Sequence, residues 1–272
     1  MDGTRAQTEA NLLHAAITAK CRRFAPSAWG FGLKSYESGL LKYLNEGVWE
    51  ACLENSDKIE TARFNCGMFM NYIGHGIFVD KEQVDDETKL RAFKKGGGYA
   101  PGADSATQGL HPDGDLTGKS GAFLMSLTNG NAELPVRGDG EWPLLMATTL
   151  RDVGRFVAAS LDLPKWEKEM SLVGDTLTMG ELVKIAEEVT GKKFDVKKLT
   201  SGELKKKGEA LQPDQFMEQV WLELKTSYCK DAEGLTRMDP VVNRFCPDVK
   251  PVSFREYIQT HWAQYQAEQK NT

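Results

Sequence analysis

The chain has 272 residues, with 34 basic against 39 acidic side chains and a formal net charge of -5. That length buries a large core in one domain, with room for a small second lobe, and the acidic balance excludes broad attraction to phosphate backbones, so nucleic acid is not an expected partner. Five cysteines, odd in number and without a CxxC pair, fit free thiols in a reducing compartment better than a disulfide framework or zinc site, and no apolar run approaches the roughly 20 residues that cross a bilayer.

The polar opening carries no signal-peptide core, so a cytoplasmic protein with no membrane partner is expected. Ala6, Ala10, Leu13, Ala16 and Ile17 share one face at helical spacing, which predicts an amphipathic helix over 4–20. A short strand is expected over 21–27, ending at Pro26, then a loop over 28–38 bearing Trp29, Phe31 and Tyr36. A helix follows over 40–55, a second strand over 60–64, and a turn into a short apolar helix over 67–73. Between 80 and 120 charge gives way to Gly96, Gly97, Gly98, Pro101, Gly102, Gly114 and Gly118, the composition of a long loop or lid.

Regular structure resumes over 122–127, with a turn at 129–131, a strand over 134–137, and a helix over 149–161 whose apolar face is Val153, Phe156, Val157 and Leu161. An extended stretch is expected over 170–173. Thr178, with Glu181 three positions on, reads as a capping box for a helix that stops at Gly191. A strand over 194–199 and helices over 204–211, 213–228 and 253–268 complete the chain. Strands alternating with helices imply an α/β protein with a mostly parallel sheet.

Five phrases in order resemble the NmrA-like, isoflavone-reductase-like family of atypical short-chain dehydrogenases, which includes many fungal metabolite enzymes. They are RRFAPSAWG (22–30), VWEACLENS with ARFNCGMFMNYIG (48–56 and 62–74), RGDGEWP (137–143), TTLRDVGRFVAASLDLPKW (148–166) and SLVGDTLTMGELVKIAEEVTGKKF (171–194). The resemblance implies a Rossmann-like parallel sheet, truncated at its start, over 1–160 with the lid at about 80–120, and a smaller C-terminal substrate-binding lobe over 161–272. In that family an earlier strand leads into a GxxGxxG loop that cradles the dinucleotide pyrophosphate at a helix N-terminus. Here the chain starts at a later helix, and neither Gly74 with Gly76 nor Gly114 with Gly118, Lys119 and Ser120 completes a nucleotide fingerprint. The N-terminal dinucleotide-binding half is therefore expected to be missing.

Two further departures concern the family's reaction centre. Ala28 stands where relatives commonly carry glutamate. Asn45 stands where its reductases carry a lysine, with Lys42 one turn earlier on roughly the same side, read either as a catalytic substitute or, in preference, as a solvated helix lysine. The resemblance places the substrate against Ser27, Trp29, Phe31, Tyr36, Phe69, Met70 and Tyr72, an aromatic and methionine-rich wall suited to a hydrophobic small molecule; for Phe69 and Met70 a core role weighs equally. His75, between two glycines at the predicted rim, is the best general acid or base because its ordinary pKa lies near neutrality. His14 and His261 fall within helices and read as structural or surface residues, and His111 lies in the lid.

These readings favour a cofactor-independent tailoring enzyme of fungal-type secondary metabolism, a cyclase, isomerase or dehydratase, with a pericyclic, Diels-Alder-type cyclisation among the reactions that shape alone can promote. On that reading no cofactor and no metal are used. The alternatives are an NADPH-dependent isoflavone-reductase-like oxidoreductase whose start is misplaced, and a non-enzymatic NmrA-like regulatory binding protein. An uncovered sheet edge would also favour a homo-oligomer.

Overall fold

The computed structural model describes residues 4–30, 47–70, 124–127, 129–212, 215–231, 234 and 236–271. The chain divides into two compact units, each assembled from separated stretches: Met1–Met68, Pro143–Leu177 and Glu223–Val252 in the first, Phe69–Trp142, Thr178–Leu222 and Ser253–Thr272 in the second.

In the first unit, helix α1 (Thr4–Thr18) packs on helix α2 (Val48–Glu54). Leu13, Cys52 and Ile59 form the centre of that contact, ringed by Ala16, Ile17, Phe24 and Trp49. Strand β1 (Arg23–Phe24) runs parallel to β2 (Glu60–Thr61), with Arg23 opposite Glu60 and Phe24 opposite Thr61. Both strands are shorter than the sequence predicts. Pro26 has no N–H to extend the ladder, and the Ala28 N–H turns back onto the Pro26 carbonyl at 2.8 Å. Beyond β2 the pairing passes to a new neighbour: Arg63 bridges Glu169 in parallel, and the Leu172 N–H donates to the Asn65 carbonyl at 2.8 Å. The extended stretch expected over 170–173 is thus the next rung of this sheet.

A second sheet has the order β3-β6-β7, from β3 (Met68–Phe69), β6 (Leu144–Thr148) and β7 (Asp175–Thr178). Its first strand corrects the apolar helix expected from Gly67 onward. Gly67 has φ +68°, and the Thr148 hydroxyl donates to the Cys66 carbonyl at 2.7 Å, which ties this stretch to β6. Helix α3 (Leu150–Ser160) starts at Thr149, whose hydroxyl oxygen accepts from the Asp152 N–H at 3.0 Å. Val153 and Phe156 are buried as predicted, but Leu161 is 49% exposed. The helix ends one residue before it, where Arg23 donates to the carbonyls of Leu161 and Leu163 at 2.8 and 2.6 Å. A short helix absent from the prediction, Val241–Phe245, packs on α3.

In the second unit, β4 (Met125–Ser126) pairs antiparallel with β5 (Asn131–Pro135), which pairs parallel with β8 (Asp195–Leu199). Helix α4 (Met179–Thr190) carries the predicted capping box: the Thr178 hydroxyl oxygen accepts from the Glu181 N–H at 3.2 Å, and the Glu181 carboxylate accepts from the Thr178 N–H at 2.8 Å. It ends at Gly191, with φ +69°, the left-handed C-terminal residue that glycine adopts without steric cost. Helix α5 (Ser201–Glu209) begins with the same device, Thr200 and Glu203. The last helix, α8 (Phe254–Asn271, after α6 at Phe216–Cys229 and α7 at Val241–Phe245), packs on α4, where Arg255 pairs with Glu188. Among the described residues no helix is long and apolar enough to cross a membrane, and all five cysteines are free.

Candidate active site

In open α/β sheets, ligands sit beyond the carboxyl ends of parallel strands. In the first unit those ends are the segments 25–30 after β1 and 62–67 after β2. The two segments are tied at their far ends, where the Gly30 carbonyl accepts from the N–H groups of Cys66 and Gly67 at 3.2 and 3.1 Å. One acceptor serving two donors satisfies otherwise buried amides and fixes the spacing of the loops.

Trp29 is half-buried, with its ring 6.0 Å from Phe64 at an interplanar angle of 39°. Phe64, fully buried, meets Trp166 edge-on at 5.0 Å. Trp166 is held in turn by its Nε1–H, which donates to the Ser160 carbonyl at 2.8 Å, and by the Arg23 guanidinium 4.8 Å above its ring. This chain of contacts leaves Trp29 as a propped aromatic ledge. Ser27 beside it is exposed, and its backbone N–H donates to Glu9 Oε2 on α1 at 3.0 Å. Ala28, where the resemblance places a glutamate, is only 5% exposed. A methyl group there needs no polar partner, whereas a carboxylate in the same place would need one.

Beneath the second loop lies a polar brace. Asn65, fully buried, donates from Nδ2 to Glu169 Oε2 at 2.9 Å and to the Ser171 hydroxyl at 3.3 Å. Arg63 donates from Nε to Glu169 Oε1 at 2.7 Å and lies 4.5 Å over the Trp49 ring. Burial pushes the Cys66 thiol up to about 12, so it stays protonated near neutrality and is not a nucleophile. Glu60 anchors the neighbouring strands. Burial opposes its ionisation, but hydrogen bonds from Arg23 and from the Trp166 N–H outweigh that and hold its carboxyl below the ordinary range.

Of the residues singled out from sequence, Ser27 and Trp29 come together at this rim. Phe69 is half-buried and Met70 fully buried; both belong to the second unit. Phe31, Tyr36, Lys42, Asn45, Tyr72, His75 and His111 lie outside the described residues, as does the stretch expected to form a lid. His14 is exposed, and His261 packs on Tyr257 with ring centres 4.4 Å apart. Sequence reasoning missed Phe64, Asn65, Trp166 and Glu169 as the supports of Trp29 and its loop. RFNCG and the Trp at the end of PKW were visible as motifs, but their mutual contact spans about a hundred residues of chain. Among the described residues no group of three or more His, Cys, Asp or Glu side chains is placed to hold a metal ion.

Trp29 presents a flat aromatic face, and Ser27 beside it is exposed. Gly47, the one left-handed glycine at the start of a described helix, has its N–H taken by the Glu50 carboxylate at 2.8 Å and so is not open to a phosphate.

No protein-family model matches the chain. A curated relative, oxidoreductase BOA1 of Botryotinia fuckeliana (strain B05.10), is 51% identical over 57 residues, which are 21% of this chain and 19% of that protein. Solved structures match along nearly the whole chain. The binary complex of leucoanthocyanidin reductase with NADPH from Vitis vinifera superposes with a TM-score of 0.61 at 14% identity, covering 97% of this chain and 76% of that one. Isoflavone reductase gives 0.60 at 15% identity, over 94% and 71%. Citrobacter sp. triphenylmethane reductase complexed with NADP(H) gives 0.55 at 15% identity, over 94% and 70%. The expectation of a protein without a cofactor is overturned by these likenesses, since structures sharing the fold were solved with NADPH or NADP(H) bound.

Proposed function

We propose, from the premise that the chain has the NmrA-like, isoflavone-reductase-like fold, that it is an NADPH-dependent oxidoreductase acting on a hydrophobic small molecule. The observation that carries this reading is the propped Trp29 ledge beside exposed Ser27 at the carboxyl ends of parallel β1 and β2. NADPH, when bound, supplies the hydride. The chain's own residues position and shield. Trp29 offers a flat apolar face for a ring of the substrate and displaces water from it. Ser27, exposed beside that face, carries a hydroxyl that can donate to a substrate oxygen and so orient the acceptor. The Gly30 carbonyl and the Asn65–Glu169 brace keep the two loops at fixed spacing, so the ledge is in place before the substrate arrives. The short match to an oxidoreductase supports the redox class, and the likeness to plant and bacterial reductases supports the cofactor.

The test uses the full 272-residue chain. Titration of NADPH, followed by its fluorescence, is expected to saturate at micromolar concentration. NADPH deuterated at its transferable position is expected to deliver one deuteride to a hydrophobic enone or quinone-methide acceptor, solvent supplying the proton. Trp29→Ala is expected to raise KM for that acceptor about tenfold, the loss of one aromatic contact of about 1.4 kcal/mol, while NADPH still binds. The absence of both NADPH binding and deuteride transfer across an acceptor panel overturns the proposal.

A further inference from the structure

We propose that Glu9, on α1, is a positioning residue for the substrate rim: its carboxylate holds residue 27 where the Ser27 hydroxyl and the Trp29 ring meet a substrate. The proposal rests on the reading of Ser27 and Trp29 as that rim, and it adds a residue from a different element of the same unit.

Glu9 breaks the pattern of its own helix. At about 3.6 residues per turn, it falls between Ala16 and Leu13 around α1, inside the face that also carries Ala10 and Ile17. Leu13 is fully buried there, and Ala10, Ala16 and Ile17 are half-buried. Glu9 is half-buried as well, so an ionisable side chain stands where the period calls for an apolar one. Its charge reaches into the contact between the helices: burial first, and Glu9 second, push the Cys52 thiol up to about 11. A carboxylate in such a place is costly unless a partner meets it, and departures of this kind gather at functional sites.

The partner is the loop after β1. The Ser27 N–H donates to Glu9 Oε2 at 3.0 Å, across 18 residues of chain. Pro26 has no N–H to give, and the N–H groups of Ala28 and Gly30 bond inside the loop, to the Pro26 and Ala28 carbonyls at 2.8 and 2.9 Å. The far end of the loop is fixed where the Gly30 carbonyl accepts from Cys66 and Gly67. Glu9 fixes the near end to α1, and α1 is itself set by Leu13 packed on Cys52 and Ile59. A hydrogen bond to an ionised acceptor is about twice as strong as one between neutral groups. Trp29 is thus held through Phe64 and residue 27 through Glu9, two separate supports for one rim.

The test reads amide hydrogen exchange and proton–nitrogen NMR spectra of the full chain, with activity as a separate arm. Glu9→Ala is expected to speed exchange of the Ser27 amide at least about tenfold, the value of one hydrogen bond to a charged group, and to move the Trp29 side-chain N–H resonance. Glu9→Gln keeps an oxygen acceptor and is expected to recover most of the protection, with the Ser27 amide proton moved upfield because its acceptor is now neutral. Asn11→Ala, at an exposed position of α1, is expected to change none of these. With NADPH and a reducible acceptor, Glu9→Ala is expected to raise KM for the acceptor about tenfold, with Glu9→Gln close to the unaltered protein. Loss of stability alone would shrink the folded fraction, and with it kcat, without moving KM. Should Glu9→Ala fail to fold, Glu9→Gln decides through the shift of the Ser27 amide against an unmoved Thr200 amide, whose acceptor is Glu203. The proposal is overturned if Glu9→Ala leaves Ser27 exchange within about twofold of the unaltered protein, if Glu9→Gln restores none of the protection, or if Asn11→Ala gives the same changes. It is also overturned if exchange responds and KM for the acceptor does not. A chain that reduces no acceptor sinks the redox reading instead, and the exchange rates and the Trp29 resonance then decide on Glu9 by themselves.

Discussion

Replacing Gly67 with alanine tests the way the second loop is built. Gly67 has φ +68°, and a Cβ placed on it would lie 2.2 Å from the Met146 carbonyl oxygen, 2.8 Å from the Met146 carbonyl carbon and 3.3 Å from Met238 Cε. Holding alanine in a left-handed conformation costs about 1 kcal/mol. The clash is with backbone, not with a pliable side chain, and opening it from 2.2 Å to the 3.0 Å floor of real contacts requires β6 or the loop itself to move; strain of that kind costs about 2 kcal/mol. The sum, about 3 kcal/mol, lowers the melting temperature of a chain this size by about 6–12 °C. Urea unfolding and calorimetry measure both quantities. Because the Gly67 N–H also donates to the Gly30 carbonyl at 3.1 Å, the variant is expected to loosen the Trp29 loop, seen as red-shifted, more readily quenched tryptophan emission. Gly138→Ala is the control, since its Cβ would meet nothing within 4 Å, and its effect is expected to stay within about 0.5 kcal/mol. A Gly67→Ala loss below about 1 kcal/mol, or a loss equal to the control, would refute the reasoning.

Thr178→Ala removes the hydroxyl that caps α4 and is expected to cost about 1 kcal/mol in urea unfolding; Thr178→Ser should recover most of it. Asp231 is fully buried and accepts from the Thr236 hydroxyl at 2.9 Å, from Arg237 Nη2 at 2.9 Å and from the Leu144 N–H at 3.3 Å. Asp231→Asn breaks the ion pair with half-exposed Arg237 and is expected to destabilise by about 1–2 kcal/mol, with an unchanged denaturation midpoint as the contrary result. For pH, burial opposes ionisation of Asp231 and Glu60, yet their hydrogen bonds prevail and both carboxyls titrate below their ordinary values in the folded protein. Their stabilisation is therefore complete above the unfolded carboxylate pKa of about 4 and is lost as the pH falls through the lower folded values. The urea midpoint should fall on acidification across that window, and Glu60→Gln should flatten the fall; an unaltered slope would show that Glu60 takes no part.

The elements legible in the sequence are those specified by neighbours in the chain. The capping box at Thr178 and Glu181, the stop at Gly191, the apolar face of α1 and the start of α3 are local arrangements of side chain and backbone, so a short window contains their cause. The likeness to the isoflavone-reductase-like fold was legible for a different reason, the order of five phrases. What the sequence could not carry was pairing. Leu144–Thr148 and Asp175–Thr178 became strands because each found partners in a sheet, and Met68–Phe69 became a strand instead of a helix because Gly67 and Thr148 lock it beside β6. Leu161 looked like core by periodicity but is exposed, because Arg23, about 140 residues earlier, caps the helix before it. At the candidate site, Ser27 and Trp29 could be named from RRFAPSAWG. The stack through Phe64 to Trp166 and the brace from Asn65 to Glu169 are contacts between distant segments, and only folding brings their side chains within bonding distance. The division into two units, each drawn from three stretches of chain, has the same origin, since burial joins surfaces without regard to their order in sequence.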